Sequence, residues 1–179
     1  MNDKLFKIGQ KLVSTGSLST TEYEYLIDNR NEEITEFLKN EAIKKRQEIY
    51  GNTVFVRGLI EISNICKNDC FYCGIRASNK DCDRYRLTKE EILSCCDEGY
   101  SLGFRTFVMQ GGEDLHFTDE ILVDIIRSIK GKYPECAVTL SLGERSYESY
   151  KKLYDAGGDR YLLRHETADE DHYNKLHPE

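Results

Sequence analysis

RTFVMQGGEDLHFTDEILVDIIRSIKGKYPECAVTLSLGERSYESYKKLYDAGGDRYLL, residues 105–163, decides the fold. It alternates strand and helix. RTFVM (105–109), CAVTL (136–140) and RYLL (160–163) are short runs rich in β-branched and aromatic residues, which favour strands. A helix is expected from Thr118 to about Lys130, and another from Ser146 to the stop at Gly157 and Gly158. Upstream, TVFVRGLIEI (53–62) reads as an earlier strand, and Thr88 with Glu91 forms a capping box for a helix ending near Gly103. Downstream, Thr167 with Glu170 caps one more helix. Four βα units in a row imply an α/β fold with a parallel sheet wound in one hand. A (β/α)8 TIM-type barrel takes at least ~200 residues and typically ~250. Residues 53–179 therefore correspond to its N-terminal half, and the chain is expected to be truncated, since the fourth strand would otherwise be an uncovered edge.

Residues 1–52 precede this barrel domain (53–179) as a polar, helical extension. Ser19 and Glu22 form a capping box, because each side chain can satisfy the other's exposed backbone donor. Asn31 caps a further helix that carries Ile34, Phe37, Leu38 and Ala42 on one face and stops at Gly51. That face is expected to pack on the barrel. No Pro- or Gly-rich linker marks a boundary inside either part.

The 179 residues suit one domain with a real core; 39% are hydrophobic and 32% charged, as in a soluble globular protein. A net charge of -7 disfavours nucleic acid as a partner, because a phosphate backbone would be repelled. No apolar run approaches the ~18 residues that span a bilayer. The start, MNDKLFKIGQ, lacks a signal peptide's apolar core, so a cytoplasmic location is expected. There the seven cysteines stay reduced, available as metal ligands or small core residues.

In parallel barrels, function collects where the strands end. Every such loop here is polar, ligating or glycine-containing: SNICKNDCFYCG (63–74), QGGED (110–114), SLGE (141–144) and RHET (164–167). The first is the strong signal. Cys66, Cys70 and Cys73, spaced C-x3-C-x2-C, can hold three corners of an iron–sulfur cube. Three protein ligands leave one iron open, which suits chemistry better than electron carriage. The bland alternative is structural zinc with Cys82 or a histidine as fourth ligand, but zinc knuckles come in pairs and no second one is present. In QGGED the glycines permit close backbone approach to a ligand, and Glu113 can pair with an ammonium group, although a Gly-Gly turn is often only a turn.

Cys95, Cys96 and Cys136 read as small hydrophobes, and Cys82 alone lies in a polar stretch. His165, His172 and His177 match no regular ligand spacing; the last two suit a polar surface. Glu32, Glu33, Glu90 and Glu91 favour helix N-termini and need no further role.

These residues resemble a known family. The cysteine loop, with Tyr72 before its last thiol, is similar to the radical S-adenosylmethionine (SAM) signature, and 110–114 to that superfamily's glycine- and glutamate-containing motif. RGLIEISNICKNDCFYCGIR (57–76), NKDCDRYRLTKEEI (79–92), TLSLGE (139–144) and DRYLLRHETA (159–168) resemble the HydE family of FeFe-hydrogenase maturases, in their N-terminal half. The resemblance implies a radical SAM barrel with a 4Fe–4S cluster on Cys66, Cys70 and Cys73 and SAM on the open iron. Tyr72 would lie near the adenine; Gln110 and Gly111 would meet the methionine end, with Gly112 and Glu113 beside them. Thr139, Ser141, Arg164 and Glu166 match positions lining the SAM and substrate cavity. Glycine at 111 departs from relatives that carry serine there.

The implied activity is reductive cleavage of SAM to a 5′-deoxyadenosyl radical, serving assembly of the hydrogenase diiron subcluster. Implied partners are a small organometallic or other small-molecule substrate, an external electron donor and other maturases. No residue is assigned as catalytic, and this chain alone is expected to bind a cluster yet fail to turn over. The alternatives are a biotin-synthase-like or methylornithine-synthase-like enzyme, or a non-catalytic metal-binding fragment.

Overall fold

The computed structural model describes residues 3–178, which fall into two compact units dividing after Phe55. The first contains α1 (Asp3–Thr15), α2 (Thr20–Asp28) and α3 (Glu32–Tyr50). Ser19 Oγ accepts from the Glu22 N–H at 3.3 Å, and Glu22 Oε2 accepts from the Ser19 N–H at 2.8 Å, so the capping box is complete. Asn31 Oδ1 accepts from the Ile34 N–H at 3.0 Å, and α3 stops at Gly51 in the left-handed region, φ 58°. Leu5, Ile8, Leu26 and Ile34 form a buried cluster bordered by Phe37 and Leu38. Ala42, expected on the same face, is exposed. With 13 residues α1 spans about 20 Å, so α3, with 19 residues and about 28 Å, overshoots it.

The second unit is four βα units in sequence: β1 (Gly58–Ser63), α4 (Lys89–Ser101), β2 (Thr106–Gly111), α5 (Asp119–Lys132), β3 (Ala137–Ser141), α6 (Tyr147–Asp155), β4 (Arg160–Tyr161) and α7 (Glu170–Leu176). Every pairing is parallel and the strand order is β1-β2-β3-β4. One strand face, with Ile60, Ile62, Phe107, Met109, Val138 and Leu140, is buried with the helices. Against it α5 sets Leu122, Ile125, Ile126 and Ile129, all 0% exposed and at the three-and-four spacing of one helical stripe. Cys96 and Cys136 belong to this core, while Cys95, one position before Cys96, is exposed. Burial pushes the Cys96 thiol up to about 12, so it packs as an inert hydrophobe. The opposite strand face carries Leu59, Glu61, Gln110, Thr139 and Ser141, which converge toward the strand ends. No helix of the described residues is long and apolar enough to cross a membrane.

Three elements depart from expectation. Residues 53–57 form no strand, because the β1–β2 ladder begins at Gly58 opposite Phe107; Val54, Phe55 and Val56 are exposed. The fourth strand is two residues long, although the Leu162 N–H still donates to Leu140 O at 2.8 Å; beyond Ser141, β3 turns away through Gly143 at φ 76°. The cap of α7 is Asp169, not Thr167. Asp169 Oδ1 accepts from the His172 N–H at 2.7 Å, and Thr167 Oγ1 instead accepts from the Asp169 N–H at 3.2 Å.

A polar knot closes the sheet's C-terminal end. Ser63 makes an isolated antiparallel bridge with Arg86, which returns from the cysteine loop. Arg86 Nε and Nη2 donate to the two oxygens of Asp114 at 2.7 and 2.8 Å, and Ser63 Oγ donates to Asp114 Oδ2 at 2.7 Å. Burial by itself would raise the Asp114 carboxyl, but the Arg86 guanidinium, the Ser63 hydroxyl and the His116 N–H outweigh it and hold it at about 2.

Three substitutions test this packing by urea unfolding. Ile126→Ala is expected to cost about 2–5 kcal/mol, and Thr88→Ala, which breaks the α4 capping box, about 1 kcal/mol. Asp114 is lowered in the fold, so its contribution is present above the unfolded carboxylate value near 4 and is lost as pH falls toward about 2. The stability difference between the parent chain and Asp114→Asn should be on the order of 2 kcal/mol at pH 6 and shrink to a small fraction of that as pH falls to about 2. A pH-independent difference contradicts this.

Candidate functional site

The three loops after β1, β2 and β3 and the segment after β4 enclose a cavity of about 610 Å³ at the C-terminal ends of the strands. Cys66, Cys70, Tyr72, Cys73, Gln110, Gly111, Gly112, Glu113, Ser141, Arg164 and Glu166 all line it. Thr139 does not. It lies two residues before Ser141 on the same strand face, so about 6.6 Å deeper, and its buried Oγ1 has no hydrogen-bond partner.

The cysteine loop is long, and its shape comes from polar side chains that satisfy its carbonyls. Arg84 donates to Ile75 O at 2.9 Å, Arg76 O at 2.7 Å, Asn79 O at 3.1 Å and also Asn64 O, drawing both ends of the loop onto one guanidinium. Asp69 Oδ1 accepts from the Ser78 N–H at 2.9 Å, and the Cys73 N–H donates to Cys70 O at 3.0 Å in a tight turn between the last two thiols. Cys82 is off the cavity wall, beside the Asn64 side-chain amide at 3.5 Å.

The loop after β2 seats itself in the cysteine loop. A Cβ at Gly112 would collide with Ile65 O and fall 2.7 Å from Cys66 Cβ, so only glycine permits the approach. There the Glu113 N–H donates to Cys66 Sγ at 3.4 Å, and the Lys67 N–H donates to Glu113 O at 3.1 Å. The Glu113 carboxylate meets Lys67 Nζ at 3.1 Å and accepts from the Glu144 N–H at 3.1 Å. Gly143, at φ 76°, leaves the space that the Glu113 side chain fills. A Cβ at position 111 would sit 3.0 Å from Ser63 O, which gives glycine a steric reason there.

The far wall comes from the end of the described chain. Tyr72 Oη pairs with His177 Nε2 at 2.7 Å, and the Phe71 N–H donates to Leu176 O at 3.0 Å, so α7 holds the cysteine loop at its aromatic pair. Burial, and next the charge of Glu166, push the Tyr72 hydroxyl up to about 12. Glu166 is the one non-glycine among the described residues with positive φ, at 59°, a conformation that aims a loop at some cost. Lys67, Arg84, Arg86, Glu144, Tyr173 and His177 were not singled out as site residues from sequence. Lys67 lies inside the cysteine motif, and Arg84 and Arg86 follow it closely; the others are brought near only by the fold.

All three loop cysteines are free and partly buried. Burial raises the Cys70 thiol, and the neighbouring Cys66 charge raises it further. Thiolates crowded in this way are relieved by a thiophilic cationic centre, so the donor set suits an iron–sulfur cluster held from one side. The thiols share the wall without being gathered in ligand geometry: among the described residues, no group of three or more His, Cys, Asp or Glu is arranged to hold a single ion.

The chain is 44% identical over 145 residues to the [FeFe] hydrogenase maturase subunit HydE of Thermotoga maritima, a match covering 78% of this chain and 41% of that protein. It is 30% identical to 3-methylornithine synthase of Methanosarcina acetivorans, over 97% of this chain and 50% of that one. Among solved structures, the [FeFe]-hydrogenase maturase HydG superposes with a TM-score of 0.88 at 27% identity, covering 100% of this chain and 40% of HydG. The chain thus spans half or less of the length of these relatives. Residues 60–179, which carry every loop of the cavity, match the Radical SAM superfamily, and the chain belongs to that superfamily.

Proposed function

We propose that this chain is the cluster- and SAM-binding part of a radical SAM enzyme of hydrogenase maturation. The observation that carries the reading is the contact between two loops: a three-cysteine loop and a Gly112–Glu113 turn, joined by the Glu113 N–H on Cys66 Sγ at the wall of one cavity. Cys66, Cys70 and Cys73 would hold a 4Fe–4S cluster. When bound, the cluster and SAM supply one-electron reductive cleavage of SAM to a 5′-deoxyadenosyl radical.

The chain's own groups bind and aim. The Glu113 carboxylate, now occupied by the Lys67 ammonium and the Glu144 N–H, is placed to accept a ligand ammonium in the same way. Tyr72, held by His177, offers a flat ring at the cavity edge for an adenine. Gln110 and Ser141 face the cavity from adjacent positions of β2 and β3, and Arg164 and Glu166 bring opposite charges from the segment after β4. The maturase assignment rests on the 44% identity to HydE, against 30% to the methylornithine synthase. A small organometallic or other small-molecule substrate, an external electron donor and partner maturases belong to the same proposal, as does a cytoplasmic setting.

Anaerobic reconstitution with iron and sulfide tests the ligand set. The parent chain should take up about four irons and four sulfides, and Cys66→Ala, Cys70→Ala and Cys73→Ala should each lose most of that load, with Cys82→Ala and Cys95→Ala unchanged. Gly112→Ala should lower loading several-fold with the fold intact by circular dichroism, because its Cβ displaces Ile65 and Cys66. Zinc uptake in place of iron, or loading indifferent to these cysteines, overturns the proposal.

A further inference from the structure

Asp114 and Arg86 are off the cavity wall, and their side chains make no hydrogen bond to a residue assigned above to the cluster or to SAM. Yet the Asp114 side chain is only 3% exposed and accepts four hydrogen bonds from three residues: two from Arg86, one from Ser63 Oγ and one from the His116 N–H at 3.0 Å. A buried ion pair is weak grounds for stability, since packed apolar residues serve as well. What a two-pronged guanidinium–carboxylate pair adds is direction.

That direction bears on Cys66. Asp114 follows Glu113 in the chain, so the Arg86 fork fixes the backbone that presents the Glu113 N–H. The same carboxylate orients the Ser63 hydroxyl, which accepts from the Ile65 N–H at 3.0 Å, the residue before Cys66. Ser63 O also accepts from the Gly112 N–H at 3.3 Å. Both partners of the Glu113 N–H to Cys66 Sγ contact, 3.4 Å apart, are therefore anchored to one carboxylate.

We propose that Arg86 and Asp114 are a positioning pair for Cys66, holding the loop after β2 and the root of the cysteine loop in the one register that puts the Glu113 N–H on the Cys66 sulfur. The inference deepens the cluster reading and rests on it. A hydrogen bond to a cluster-ligating sulfur favours the reduced state and raises the reduction potential. Losing the pair should lower that potential without removing any ligand.

The test uses Arg86→Met, Asp114→Asn and Arg86→Lys, each checked for folding by circular dichroism. In the metal-free chain, iodoacetamide labelling mapped by mass spectrometry should show the rate of Cys66 alkylation, relative to the exposed Cys95, changed several-fold in Arg86→Met and Asp114→Asn. After reconstitution, both variants should carry a full cluster whose potential, from an electron paramagnetic resonance redox titration without SAM, is more negative. Arg86→Lys, which keeps the charge but not the fork, should fall between parent and Arg86→Met. If Asp114→Asn does not fold, the Arg86 variants carry the test, since that side chain is 34% exposed. An unchanged potential in a folded, loaded variant overturns the proposal. If even the parent takes up no cluster, the cluster reading fails on its own, and an unchanged Cys66-to-Cys95 labelling ratio then overturns the positioning role.

Discussion

A carboxylate taken out of water must be paired, and Asp114 meets that requirement by drawing three segments to one point. Ser63 ends β1, Arg86 returns from the cysteine loop, and Asp114 itself follows β2. Without this closure, the 22 residues between Ser63 and Arg86 would be a long excursion with little apolar content to fold it. With it, the loop is pinned at both ends, and Arg84, two residues earlier, can satisfy carbonyls of the loop's inner residues. The site is therefore built on hydrogen bonds above an apolar floor. Ile62 and Met109, both 0% exposed, anchor the strands beneath it.

The barrel units were legible in sequence because local signals agreed with one another. Thr88 with Glu91, Thr118 and Ser146 each cap a helix, and Gly103 and Gly157 close two turns at φ 95° and 108°. What misled was apolar content without a partner. Val54, Phe55 and Val56 have strand propensity, but a strand needs a neighbour, and the ladder starts at Gly58. The cap of α7 shifted from Thr167 to Asp169 because two capping residues stood within reach of the same helix start. Cap chemistry alone does not choose between them.

The site was legible where residues are close in the chain and obscure where they are not. The thiol spacing pointed to Cys66, Cys70 and Cys73, and the glycines to the turn at 111–112. Nothing local marks Glu144 as a partner of Glu113, 31 residues away, or His177 as a partner of Tyr72, 105 residues away. Those contacts exist because parallel strands deliver successive loops to the same end of the sheet. Thr139 shows the limit of carrying a motif across by position: it shares a strand face with Ser141, yet sits one row below the cavity.

Residues 60–179 match the radical SAM superfamily, and the cavity they form is lined by Cys66, Cys70, Cys73 and Glu113; the arrangement proposed is that the three thiols hold a cluster and leave room for a ligand on Glu113. The measurement that bears on it most directly is the electron paramagnetic resonance spectrum of the reconstituted, reduced chain, recorded with and without SAM. A 4Fe–4S signal that shifts when SAM is added is the predicted result, because it requires an iron that no protein residue ligates. A cluster signal indifferent to SAM, or no cluster signal at all, contradicts the account.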